Sequence, residues 1–190
     1  MQRTSPHLVL ATAAMCAVLL TSPALFWLGG RRKVDDHDTL VTAMMLVRSA
    51  SIVGFVAYVG VFYARRWPTS VAGIRAWTSP IAALNVAGVL LIAIGQWLNF
   101  LVYMRLGRAG VYYGYEYGLV ASDRTISEGF PFKQLHHPQY VGCMLTILGL
   151  WAFSGLDRDG LVRWPVAAIA ATGLASYLIA MATEPAQPGA

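Results

Sequence analysis

The chain has 190 residues, 57% of them hydrophobic and only 12% charged, with a mean hydropathy of +0.55. A water-soluble domain carries roughly 25% charged residues, so this composition excludes an ordinary solvated globule and makes lipid the main solvent. The formal net charge of +5 does not argue for nucleic acid, because the basic residues stand in short polar breaks between apolar runs, where they meet anionic head groups.

The length fits one membrane-embedded domain, residues 1–190, with room for about five spans of roughly 20 residues each. The first apolar run, 8–28, closes on Gly29-Gly30 and Arg31-Arg32-Lys33. Its Ser22-Pro23-Ala24 stretch has the small residues of a signal-peptide cleavage region, yet apolar sequence continues through Phe26-Trp27-Leu28. A retained anchor is therefore expected, kinked locally at Pro23. Asp35-Asp36-His37-Asp38 reads as a solvated loop rather than a metal site, since adjacent residues in a short loop seldom converge on one ion.

The second run, 39–64, is interrupted by Arg48. A charge inside a span costs at least a few kcal/mol unless it is paired or hydrated. Arg48 can snorkel, meet an acid from another helix, or hold a substrate phosphate. The third run covers 81–104. The fourth, 140–154, and the fifth, 166–182, are marginal as spans and are expected to tilt or to pack as a hairpin. Cys16 and Cys143 lie inside apolar runs without ligand spacing and read as structural thiols. Seven basic residues in the breaks after runs one and three face six on the opposite side, so charge does not orient the chain. The fold class expected is an all-α integral membrane bundle of about four to five transmembrane helices, with an interfacial loop-helix segment between the third and fourth.

Residues 94–140 differ from their surroundings. Ile94-Gly95-Gln96 places a glycine and an amide inside an apolar helix. Gly107, Gly110, Gly114 and Gly118 follow at spacings of 3, 4 and 4, which on a helix share one face. Each costs nearly 1 kcal/mol relative to alanine, so the stripe implies that something approaches the backbone closely. A neighbouring helix and a flat ligand are both candidates, and spacing does not separate them. Tyr112, Tyr113, Tyr115 and Tyr117 place the segment at head-group depth. A polar loop, 122–129, leads through Phe130-Pro131-Phe132 to Leu135-His136-His137-Pro138-Gln139-Tyr140-Val141-Gly142. His137-Pro138 sets an extended dipeptide at a helix start, where unpaired N–H groups can receive a carboxylate.

The ordered pattern Gly95-Gln96, Leu106-Gly107-x-x-Gly110-x-Tyr112-x-Gly114-x-x-Tyr117-Gly118, Gly129-Phe130-Pro131-Phe132 and Pro138-x-Tyr140-x-Gly142 resembles the phosphatidylethanolamine N-methyltransferase family of membrane enzymes. The His137-Pro138-x-Tyr140-x-Gly142 piece is also similar to the isoprenylcysteine carboxyl methyltransferases. The likeness spans about 90–185. It implies S-adenosyl-L-methionine as cofactor, held through a Gly-x-Gly on the third helix and a Glu-Glu after the last. The first motif reads Ala93-Ile94-Gly95 here, and of the second only Glu184 remains. The resemblance further implies Gly107, Gly110, Gly114, Pro131, His137, Pro138 and Tyr140 near the cofactor. Arg48, Tyr117 and Arg124 are the candidates for contact with a membrane phospholipid substrate. It also implies an endoplasmic reticulum membrane, or the inner membrane in a bacterium.

Methyl transfer from a sulfonium to an amine chiefly needs alignment and exclusion of water, and alignment supplies about 7–11 kcal/mol. A primary ammonium with a pKa near 10.4 must also lose a proton. His137, His136 and Glu116, in that order, are the candidate acceptors. Glu116 stands one place after the family's acid position, a turn of about 100° on a helix. The function expected is N-methylation of phosphatidylethanolamine or its mono- and dimethyl derivatives toward phosphatidylcholine. Carboxyl methylation of a prenylated cysteine, and a non-enzymatic helix-packing subunit, are the alternatives.

Overall fold

The computed structural model describes residues 6–31, 37–64, 80–112, 129–154 and 164–183. They form five helices: α1 (Pro6–Arg31), α2 (His37–Ala64), α3 (Pro80–Val111), α4 (Pro138–Ser154) and α5 (Trp164–Thr183). There is no strand among the described residues, so the all-α membrane class holds. The stretches Val41–Tyr58, Ala83–Arg108 and Trp164–Thr183 are long and apolar enough to cross a bilayer, while Val9–Thr21 and Pro138–Phe153 are shorter apolar helical stretches.

Two expectations change. The fifth run is a full span, because the helix starts two residues earlier on Trp164-Pro165; proline at the first turn lacks only an N–H that would be unpaired anyway. The acidic cluster is not wholly a loop either, since His37 and Asp38 already belong to α2, where a carboxylate complements the helix N-terminus. The helix α1 continues through Pro23 without a break.

The helices pack in the order α3, α4, α5, α1, α2, with α2 returning to touch α4. Phe55, Val166 and Ile169 form a buried apolar core, covered by Met15, Leu19, Tyr58, Leu150 and Trp151. Leu46, Val53, Leu90 and Phe100 point outward, as they must where acyl chains rather than water surround the bundle.

The α3–α4 contact is made backbone to backbone. A Cβ built on Gly88 would stand 2.7 Å from the Gly149 carbonyl oxygen, and one on Gly142 would stand 2.8 Å from that of Gly95. Gly88 faces Gly149 and Gly95 faces Gly142, seven residues apart on each helix and in antiparallel order. The Gln96 side-chain amide donates to Thr146 Oγ1 at 2.9 Å, and that hydroxyl donates to the Gly142 carbonyl at 2.8 Å. Polar groups inside the apolar region therefore satisfy one another.

The glycine stripe expected from Gly107 onward is not one helical face. Gly107 adopts φ 65°, ψ −175°, which interrupts α3, and a side chain there would meet nothing within 4 Å. Gly114 and Gly118 lie outside the described residues. Close helix packing through glycine occurs instead earlier in the same helix, at Gly88 and Gly95.

Candidate active site

A tight turn delivers the chain to α4. The Lys133 N–H donates to the Gly129 carbonyl at 3.2 Å and that of Leu135 to the Pro131 carbonyl at 3.0 Å. The Phe130 ring lies 5.7 Å from that of Trp97, and the Arg105 guanidinium lies over Gly129. Pro131 is fully buried beneath this turn. The turn is thus strapped along α3, and His137 follows as the cap of α4, its carbonyl accepting from Val141 N–H at 3.1 Å. Pro138 takes the first helical position, where its ring is pre-set for the helix.

His136 is exposed and His137 half-buried, with ring centroids 6.1 Å apart. Burial, and then the charge of His136, lower the proton affinity of His137 below the ordinary imidazole value. At neutral pH its imidazole is neutral, the form a proton acceptor needs.

Residues 137, 140 and 143 follow one another three apart along a face of α4. His137 stacks on Tyr140 with centroids 5.6 Å apart and planes at 18°. Tyr140 meets Tyr177 of α5 at 5.7 Å. Arg48 of α2 is buried, at 9% exposure; its Cζ lies 5.4 Å from the Tyr177 ring centre and 5.9 Å from that of Tyr112. Its Nη2 donates to Cys143 Sγ at 3.0 Å, and Cys143 Sγ lies 3.7 Å from Asn99 Oδ1. Helices α2, α4 and α5 thereby converge on one guanidinium, with Tyr112 beside it just past the end of α3. Each ring contributes roughly 0.5–2 kcal/mol to holding the cation, against a burial cost of at least a few kcal/mol.

Of the residues expected at the site, Arg48, His137 and Tyr140 are brought together, with Pro138 behind them and Pro131 under the preceding turn. Ala93 and Gly95 are not together: Ala93 is exposed on the outer face of α3, and Gly95 faces Gly142 and Thr146 of α4. Gly107 is exposed at the break of α3, Gly110 is half-buried just beyond it, and His136 points outward beside His137. Gly114, Glu116, Tyr117, Arg124 and Glu184 lie outside the described residues. Sequence reasoning missed Asn99, Cys143 and Tyr177, and took Tyr112 only as an interfacial aromatic. Signals existed: Asn99 is an amide inside an apolar run, Cys143 directly follows the Pro-x-Tyr-x-Gly motif, and Tyr177 is the one hydroxylated aromatic of run five.

A family model described as phospholipid methyltransferase matches residues 84–183, just over half the chain and reaching from α3 to the end of α5. A phosphatidyl-N-methylethanolamine N-methyltransferase of Arabidopsis thaliana is 47% identical over 58 residues, 30% of this chain and 34% of that protein. A Saccharomyces cerevisiae protein of the same name is 35% identical over 68 residues, 36% of this chain and 32% of that protein. The chain thus spans about a third of the length of these curated relatives. No solved structure matches it.

Proposed function

The chain belongs to the phospholipid methyltransferase family, and from that premise we propose that it transfers methyl from S-adenosyl-L-methionine to the nitrogen of a phosphatidylethanolamine-type head group. The mono- and dimethyl forms are included among the acceptors, toward phosphatidylcholine. The observation that carries this reading is the ladder of rings from His137 through Tyr140 and Tyr177 to Arg48. It joins a neutral imidazole near the interface to a guanidinium inside the bundle, along a wall of aromatic faces.

That wall suits the chemistry. The reacting partners are both cations, an ammonium and a sulfonium, and aromatic faces attract cations without becoming a nucleophile. Arg48 suits an anionic group attached to the acceptor. The aromatic faces present fit the sulfonium of the cofactor, which supplies an electrophilic methyl group when bound. His137 takes the proton that the acceptor ammonium must lose, and partial desolvation of that ammonium eases the transfer. Tyr140 and Tyr177 orient the nitrogen, and the surrounding apolar helices exclude water. Gly107, Gly110, Gly114, Pro131 and Glu184 are assigned to the site by family likeness, and Glu116, Tyr117 and Arg124 by their place in the interfacial segment. The host membrane in this reading is the endoplasmic reticulum of a eukaryote or the inner membrane of a bacterium.

The test is direct. Membranes containing the protein are incubated with S-adenosylmethionine labelled in its methyl group, then extracted and chromatographed. Label in mono-, di- or trimethylated ethanolamine lipid is the expected result, with phosphatidyl-N-methylethanolamine as the first acceptor to supply. Label only in prenylated cysteine methyl ester, or in no lipid, overturns the proposal.

A further inference from the structure

The matched family region begins at residue 84, so Arg48 lies outside it, yet α2 inserts this guanidinium into the centre of the site. The geometry points to Arg48 as the seat of the substrate's phosphodiester, which sets specificity for a phospholipid over other amines. This rests on the function proposed above and adds to it the part of the substrate that is recognised.

Three observations carry it. The first is depth. Arg108 Nη2 donates to Thr42 Oγ1 at 2.9 Å, so the end of α3 and the start of α2 share one membrane face with the start of α4. Arg48 binds Cys143 Sγ, six residues past His137, which is about 9 Å further into the bilayer along the helix axis. A phospholipid presents its groups in that order, with nitrogen outermost, phosphate deeper and acyl chains below.

The second is distance. Four covalent bonds separate the amine nitrogen from phosphorus, about 5 Å. With a hydrogen bond of about 3 Å at each end, the chain from imidazole to guanidinium reaches about 11 Å, comparable with the rise of about 9 Å along α4 from His137 to Cys143. A cofactor carboxylate on Arg48 would require the sulfonium as well as the amine to fit between, and the reach would be several ångströms too long.

The third is chemistry. Between the two ends stand the Tyr140 and Tyr177 rings, at the level where the lipid's ammonium would lie, and ring faces hold ammonium groups. A guanidinium offers paired donors that suit phosphate.

The experiment uses the full chain in nanodiscs. Arg48→Gln should raise the KM for phosphatidyl-N-methylethanolamine about 10- to 100-fold, while S-adenosylhomocysteine binding, read by calorimetry, stays within about twofold. In parallel, an acceptor with the same amine whose phosphodiester is capped as an uncharged methyl triester is offered to the wild type. It should lose at least about tenfold in kcat/KM, and Arg48→Gln should barely distinguish the two acceptors. The wild-type comparison holds even if the variant fails to fold. Equal use of both acceptors by the wild type overturns the inference and leaves the function standing. So does weakened S-adenosylhomocysteine binding in Arg48→Gln with an unchanged lipid KM, which would assign the guanidinium to the cofactor. A wild-type protein that methylates neither acceptor overturns the function itself.

Discussion

Replacing Gly95 by alanine tests whether this glycine serves helix packing or a ligand. The new Cβ would stand 2.5 Å from the Gly142 carbonyl oxygen, 2.6 Å from Thr146 Oγ1 and 2.9 Å from the Thr146 nitrogen. Two of these are backbone atoms of a helix and cannot rotate away, so α3 and α4 must separate by close to an ångström. With two immovable backbone contacts, the cost lies in the upper part of the overpacking range, about 2–3 kcal/mol. Alanine returns nearly 1 kcal/mol of helix propensity, which leaves a net loss of about 1–2 kcal/mol. For a chain of this size that lowers the melting temperature by roughly 2–8 °C, read by thermal scanning of the detergent-solubilised protein. Gly149→Ala, at the other glycine pair, should fall by a similar amount. Ala93→Leu, on the exposed face of α3, should leave the melting temperature unchanged. If Gly95→Ala melts with the wild type, the packing argument is refuted. If it then also loses S-adenosylhomocysteine binding, the glycine serves the ligand.

Five further outcomes are expected. His137→Ala should lower kcat about 10²- to 10⁴-fold with little change in S-adenosylhomocysteine binding; an unchanged kcat removes the base from the mechanism. The lowered proton affinity of His137 means that an unfolded chain takes up that proton first, so melting temperature should fall as pH drops through the ordinary imidazole range near 6.5. His136→Ala removes one of the two causes and should move the acid limb of the kcat profile to higher pH; a limb that stays put argues against coupling between the two rings. Gly107→Ala meets no neighbour, yet its backbone region is nearly closed to other residues, so a loss of about 1–3 kcal/mol should appear in the melt. Gln96→Leu should cost only about 0.6 kcal/mol, because Thr146 keeps its bond to the Gly142 carbonyl; a collapse of the fold would show that the amide does more.

Much of the bundle was legible because lipid imposes a simple rule: long apolar runs become helices, and their polar breaks become ends. Runs 39–64 and 81–104 read directly onto α2 and α3. Run 166–182 was undervalued because Trp164-Pro165 looks like a break, whereas proline at a first helical turn is no obstacle. The glycines at 107 and 110 were read as a continuous stripe because spacing carries no information about a positive φ at Gly107. The pairs 88/149 and 95/142 went unnoticed for a different reason: their sevenfold spacing has meaning only when two distant segments are laid antiparallel. At the site, His137 and Tyr140 were visible through a local motif. Tyr177 and Cys143 were not, because their roles come from a guanidinium 95 positions away from the thiol along the chain.

The unequal lengths of α3 and α4 have a mechanical consequence. Continuing the register of the glycine pairs sets Pro138 opposite Asn99, eight residues or about 12 Å short of the bend at Gly107. The imidazole of His137 therefore lies at the floor of a notch rather than on a rim. A helix of 17 residues covers only about 25 Å of a hydrocarbon slab near 30 Å thick, so the surrounding leaflet has to sag toward it. A thinner, more pliable bilayer lowers the cost of that sag, which ties turnover to the elasticity of the host membrane as well as to the chemistry of its lipids.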